Sequence, residues 1–159
     1  MRVTTYEHYI RDLLQHPDIL ELHRAEAHHF RRSRFVHCYA VGKLAYRLAV
    51  LTHANVTVTA RAGFLHDWYH ETHPHFRRLI DPDTHHFRQS VEAAKNYGES
   101  PEVLSAIRTH MWPWGRKRPR SREAWIVWVA DNLTYVVDAW QSLKLSTREH
   151  MHELVYGPS

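Results

Sequence analysis

The sequence predicts an all-α protein, a single-domain bundle of six or seven helices. Three observations carry this. Apolar residues recur at helical spacing along most of the chain. Alternating, strand-like runs are nearly absent, and only 5 glycines are present. Apolar residues make up 43% of the 159, enough for one core in a chain of one-domain length. The expected domain is the whole of 1–159, with its core at about 35–140 and the helices of 1–30 packed on it.

The first helix is expected from Thr5 to Gln15, with Pro17 as its stop, and a second from Pro17 to about Ala27. The third, Phe35 to Leu51, carries His37, Val41, Leu44 and Leu48 in one row at i, i+4, i+7 and i+11. The fourth runs from about Thr57 to His66, capped by Thr57 or Asn55. A polar loop from Tyr69 to Thr84 follows, punctuated by Pro74 and Pro82. The fifth helix spans His86 to Tyr97 and ends on Gly98. Ser100-Pro101-Glu102 starts the sixth, with serine as N-cap and proline in the first turn. Val103, Ile107 and His110 share its apolar face. Trp112-Pro113-Trp114-Gly115 breaks that helix. The last, about Arg122 to Leu143, is apolar nearly all round, which predicts a place in the middle of the bundle.

Charge and composition narrow the function. No run of about 18 apolar residues offers a membrane span, and Met1 to Glu7 lacks the apolar stretch of a signal peptide. Cys38 is the sole cysteine, which agrees with a reducing, cytoplasmic setting. The net charge of +4 suits an anionic substrate. Much of the excess lies in Arg31-Arg32-Ser33-Arg34 and in Gly115-Arg116-Lys117-Arg118-Pro119-Arg120, blocks that in most proteins are solvated loops. The 16 histidines invite a metal reading, but only those on apolar helical faces matter.

Four places stand out. His37 opens the row of the third helix. His66-Asp67 ends the fourth, His110 shares a face with Val103 and Ile107, and Asp131 sits in the most apolar helix. A carboxylate there must be paired, metal-bound or protonated. Taken alone, Asp131 reads as the partner of Arg61 or Arg108, and His37 and His110 as hydrogen-bonded core histidines. Together they read as converging ligands, since imidazole nitrogen and carboxylate oxygen suit iron, manganese, zinc or magnesium. Neighbours on a helix point about 100° apart, so His66 and Asp67 meet one ion only where the helix ends.

His37, His66-Asp67 and Asp131, in this order and helical context, resemble the signature of the HD superfamily of metal-dependent phosphohydrolases. His66 follows His37 by 29 positions, and Asp131 follows Asp67 by 64. Phe64-Leu65-His66-Asp67 and Ala130-Asp131 are typical contexts, and the resemblance covers roughly Phe35 to Val137. His86, with Ser90 four positions on, and His110 in His110-Met111-Trp112-Pro113 are similar to the added histidines of dimetal members. That layout resembles enzymes that split dinucleoside tetraphosphates. Asp67 is followed by Trp68 rather than the lysine of cyclic-dinucleotide hydrolases, which argues against that activity.

The resemblance implies a hydrolase cleaving a phosphoester or phosphoanhydride of a nucleotide-like substrate, with His66 and Asp67 as the catalytic pair. It implies two divalent ions, iron or manganese favoured over zinc, nickel or magnesium. One ion takes His37, His66 and Asp131, and the other His86 and His110, with Asp67 shared. His85 is the alternative to His86, while His23 and His70 are expected at the surface. Arg116, Lys117 and Arg118 are expected to hold phosphate, and Trp112, with Trp114, to stack a base unless they pack in the core. Lys43 is expected away from the site, and Asp138 is expected to support a ligand histidine. The alternatives are a monometal nucleotidase using His37, His66, Asp67 and Asp131 alone, or a catalytically silent nucleotide-binding domain. A membrane partner is not expected and nucleic acid is the least favoured one. Oligomeric state stays open, a dimer included.

Overall fold

Local capping chemistry fixes most helix boundaries. The computed structural model describes residues 5–20, 34–68, 85–115, 117–137 and 140, with the side chains of 85–87 outside that description. Among the described residues all regular structure is helical. The segments are α1 (Tyr6–Tyr9), α2 (Arg11–Leu14), α3 (17–20), α4 (Arg34–Thr52), α5 (Val56–Leu65), α6 (His85–Asn96), α7 (Pro101–Thr109) and α8 (122–137). None is long and apolar enough to cross a membrane.

The expected first helix is divided at Ile10, whose φ of −119° and ψ of 14° leave the helical range. The break costs no burial, since Tyr6, Ile10, Leu13 and Ile19 all lie in the core. Only the first turn of the expected second helix, α3, falls among the described residues, and the loop from Tyr69 to Thr84 lies outside them.

α4 matches its expected span to within a residue at each end, but its buried face differs from the expected row. Cys38, Val41, Gly42, Ala45 and Ala49 are buried, whereas His37, Leu44 and Leu48 lie at the margin. The reason is steric. The small residues form the contact with α5, and there the two backbones nearly touch. A Cβ placed on Gly63 would lie 2.8 Å from the Cα of Gly42. A Cβ on Gly42 would overlap the Tyr6 hydroxyl and come 3.0 Å from the Phe64 nitrogen. Larger side chains would force these helices to the usual separation of about 8–10 Å.

α5 begins at Asn55, whose side chain accepts from the Val58 N–H at 3.2 Å. Around its C-terminal end, Phe64 and Trp68 stack at 5.9 Å, and Phe35 meets Phe64 edge-on. α6 closes with a C-terminal motif that needs glycine. Gly98 has φ +73°, its N–H donates to Lys95 O at 2.9 Å, and Glu99 N–H donates to Ala94 O at 3.1 Å. Two residues later Ser100 caps α7 by accepting from the Val103 N–H, with Pro101 in the first turn.

α8 starts at Ser121, whose hydroxyl accepts from the Ala124 N–H at 3.1 Å. It buries Ala124, Ile126, Val127, Ala130 and Thr134. Leu133, Tyr135, Val136 and Val137 are exposed, so α8 does not run through the middle of the bundle as its composition suggested. Apolar composition says that a helix can be buried, and packing buries only one face of this one.

Arg61 ties three parts of the chain together. Its guanidinium donates to Asp12 at 2.7 Å, to Glu99 at 2.6 Å and to the Tyr9 carbonyl at 2.9 Å. It is therefore committed to these partners rather than to Asp131. The Glu99 side chain is only 3% exposed. Arg61→Met is expected to leave that carboxylate buried and unpaired and to cost about 3 kcal/mol, measured as a lowered urea midpoint.

Candidate metal centre

Two histidines of the site stand at the same local position. His66 is the first residue past α5 and His110 the first past α7. Each turns its Nδ1 back onto the carbonyl three residues earlier, at 2.9 Å to Gly63 O and 2.7 Å to Ile107 O. A carbonyl can only accept, so each Nδ1 carries the proton and donates. The Nε2 atoms are thereby the ones left to bind. The two rings lie 5.0 Å apart, edge to face.

His37 on α4 and Asp131 on α8 complete the cluster. Asp131 Oδ1 lies 3.2 Å from His37 Nε2 and 3.4 Å from His66 Nε2. One ligand atom from each of the three lies within 4.8 Å of the others, and among the described residues this is the one such grouping. The close α4–α5 crossing makes it. His37 precedes Gly42 by little more than a turn, and His66 follows Gly63 by just under one. Two imidazole nitrogens and a carboxylate oxygen this close, with one nitrogen already oriented by a backbone carbonyl, fit a divalent ion at bond lengths of about 2.0–2.2 Å.

The electrostatics agree with a site made for positive charge. Burial would push His66 down, but the charge and hydrogen bond of Asp131, helped by Asp67, raise it from near 6.5 to about 9. Burial would raise Asp131, and the surrounding histidines hold it well below the usual carboxylate range instead. Burial and the positive His66 lower His110 to about 4, so it is a neutral imidazole at pH 7. Without a metal, then, one proton on His66 balances the Asp131 carboxylate. Cys38 lies beside the site, fully buried, and burial raises its thiol. It stays protonated and is not a nucleophile.

Asp67 is half-buried just past α5, and His66 before it keeps a helical backbone, with φ −59° and ψ −36°. It is not a member of the three-residue cluster, although its charge acts on His66. His86 and its alternative His85 lie on α6 with their side chains outside the described residues. His23, His70, Arg116 and Asp138 also lie outside them. Lys43 stands away from the site, 3.9 Å from Glu7 and over the Tyr39 ring.

Trp112 is half-buried in a trio with Trp125 and Trp128, all edge to face at 5.5–5.8 Å. Its ring is used in packing. Trp114, two residues on, is 71% exposed. Lys117 is exposed, and Arg118 lies over the Trp125 ring at 5.5 Å. Sequence reasoning missed Gly63, which both permits the helix crossing and supplies the carbonyl that orients His66. A glycine inside a helix, in a chain with only 5, was the available signal.

A family model for the HD domain matches residues 34–136, a span that includes His37, His66, Asp67, His110 and Asp131. The chain belongs to the HD domain family. It is 31% identical over 126 residues to ribonuclease Y of Desulforudis audaxviator (strain MP104C), covering 75% of this chain and 22% of that one. It is 32% identical over 123 residues to ribonuclease Y of Streptococcus pyogenes serotype M1, covering 75% and 21%. Ribonuclease Y 1 of Pediococcus pentosaceus is 41% identical over 78 residues, covering 46% and 13%. The chain thus spans about a fifth or less of the length of these relatives. No solved structure matches it.

The raised His66 has a measurable consequence. Its protonated form stabilises the metal-free fold below about pH 6.5, and that contribution is lost as pH rises through about 9. Thermal melts of chelator-treated protein are expected to show Tm falling between pH 6.5 and 9, and His66→Asn should flatten the fall. A metal-free Tm that rises over this range would contradict the His66–Asp131 pairing.

Proposed function

We propose that this HD domain is a metal-dependent phosphohydrolase that cleaves a phosphoester or phosphoanhydride bond in a nucleotide-like substrate, with residues 1–159 acting as one domain. The observation that carries the reading is the His37–His66–Asp131 cluster, three ligand atoms within 4.8 Å of one another at the meeting of three helices. His37, His66, Asp67 and Asp131 would hold one divalent ion. His86 and His110, sharing Asp67, would hold a second, with iron or manganese the favoured metals. Such ions polarise phosphoryl oxygen and make water acidic enough to supply hydroxide near neutral pH.

The residues of the chain do the positioning. The Gly63 and Ile107 carbonyls fix the tautomers of His66 and His110 and point Nε2 away from the helix ends. Asp131 supplies permanent negative charge to the cluster and draws His37 and His66 together. His110, neutral at pH 7, offers a lone pair without adding charge. The loop after His110 supplies Lys117 and Arg118, with Arg116, to meet a phosphate.

A second reading keeps the reaction and changes the substrate to RNA. The relatives named ribonuclease Y favour it, and it makes nucleic acid a partner rather than the least favoured one. The two readings separate on substrate. Protein reconstituted with manganese or iron is to be assayed on bis(p-nitrophenyl) phosphate, on a panel of mono- and dinucleotides, and on an RNA oligomer. Turnover of the aryl ester is expected under both readings, and the nucleotide or the RNA should then be the better substrate. Asp131→Asn is expected to lose more than about 100-fold in turnover while keeping its helical circular dichroism, because even outer partners of metal ligands cost 10–100-fold. A folded Asp131→Asn protein with near wild-type turnover would overturn the proposal.

A further inference from the structure

α8 carries Asp131, yet its far half is packed only lightly. Among the described residues beyond Asp131, Thr134 alone is buried, and Leu133, Tyr135, Val136 and Val137 are exposed. The place of the carboxylate therefore depends on attachments made earlier in the helix. At the start of α8, Arg122 donates to the Thr52 and His53 carbonyls at 3.2 and 3.4 Å, and Glu123 accepts from the Asn55 N–H at 3.1 Å. These contacts fasten α8 to the corner between α4 and α5. Further along, the Trp128 indole N–H donates to the Trp112 carbonyl at 2.6 Å. Trp128 stands one turn before Asp131 on the same face of the helix, about 4.5 Å back along its axis. Trp112 stands two residues after His110, at most about 7 Å of chain. One hydrogen bond thus joins the helix that bears Asp131 to the backbone that leaves His110. Edge-to-face packing of Trp128 on Trp112 and Trp125, at 5.8 and 5.5 Å, holds the donor ring in place.

We infer that Trp128 is a positioning residue of the metal centre: its indole N–H, bound to the Trp112 carbonyl, fixes the span between Asp131 and His110 and so acts on a bound ion through those two ligands without touching it. The inference rests on the metal-dependent reading for the ion. A helix fastened only at its start can still tilt and roll, and a second attachment on another element restrains both. The glycine crossing of α4 and α5 sets His37 against His66, but the segments bearing Asp131 and His110 take no part in that crossing. His66 lies between those two ligands, 3.4 Å from Asp131 Oδ1 through its Nε2 and 5.0 Å from the His110 ring centre. A shift of α8 against the end of α7 would open the group on the side of His110. Trp125 supplies the contrast. It shares the packing of the tryptophan trio, and the bond to the Trp112 carbonyl belongs to Trp128.

The test compares Trp128→Phe, which keeps a ring and removes the donor, with Trp125→Phe, which trims the same trio and spares the bond. Both are to be verified as folded by circular dichroism. Manganese affinity is read from the paramagnetic resonance signal of the free ion. Trp128→Phe is expected to bind manganese about 10-fold more weakly, the low end of the loss seen when outer partners of metal ligands are removed, and Trp125→Phe like wild type. In a His110→Ala background, Trp128→Phe should cost little more, because the two changes then act through one ligand. Wild-type affinity in Trp128→Phe, an equal loss in Trp125→Phe, or an undiminished loss in the His110→Ala background would each overturn the positioning role. In chelator-treated wild-type protein the Trp128 indole proton should exchange with solvent far more slowly than that of exposed Trp114. Equal exchange would overturn the brace whatever the metal does. A protected indole proton in a wild-type protein that takes up no manganese would instead overturn the metal reading, and the positioning role with it. Manganese bound equally by wild type and Trp128→Phe leaves the metal reading standing and sinks the inference alone.

Discussion

Gly42 and Gly63 allow α4 and α5 to approach until their backbones nearly touch, and the site is built on that approach. A methyl at Gly63 would lie 2.8 Å from the Gly42 Cα, and one at Gly42 would overlap the Tyr6 hydroxyl and lie 3.0 Å from the Phe64 nitrogen. At such a distance the two helices share a face of small residues, Cys38, Val41, Ala45 and Ala62 among them. His37 and His66 flank the crossing on the same side, with ring centres 5.3 Å apart. The Gly63 carbonyl then orients His66. One glycine thus couples the packing of the fold to the direction of a ligand nitrogen.

The charges at the site would be unfavourable anywhere else in this core. Asp131 is only 19% exposed and among the described residues its ion pairs are with His37 and His66, while Arg61 is held by Asp12 and Glu99. A carboxylate in that position needs a compensating positive charge. In the metal-free protein a proton on His66 supplies it, and a divalent ion would supply it more completely. Affinity for metal and affinity for that proton therefore compete at the same nitrogen.

What the sequence disclosed follows the range of the interactions involved. The Ser100-Pro101 start, the Gly98 stop and the Asn55 cap were legible because each is settled within five residues. The HD motif was legible because its members keep their order and helical context. The buried face of α4 was misjudged because hydrophobic size was taken as the guide, whereas this contact is made by the smallest residues. Arg61 could not be read, since its partners lie 49 and 38 positions away. The exposed half of α8 was equally hidden, because composition reports what a helix can bury and not how many of its faces find neighbours. Trp112 and Trp114 looked equivalent in the chain. They differ because α8 brings Trp125 and Trp128 to one of them and not the other.

The most direct test of the glycine crossing is a calorimetric titration of manganese into wild-type protein and Gly63→Ala, both verified as folded by circular dichroism. If the crossing sets the ligand geometry, Gly63→Ala should stay helical, melt lower by the equivalent of about 1–3 kcal/mol, and bind manganese at least about 10-fold more weakly. Equal affinity in a folded Gly63→Ala protein would show that the ligands find their positions without the crossing, and would contradict this account of the site.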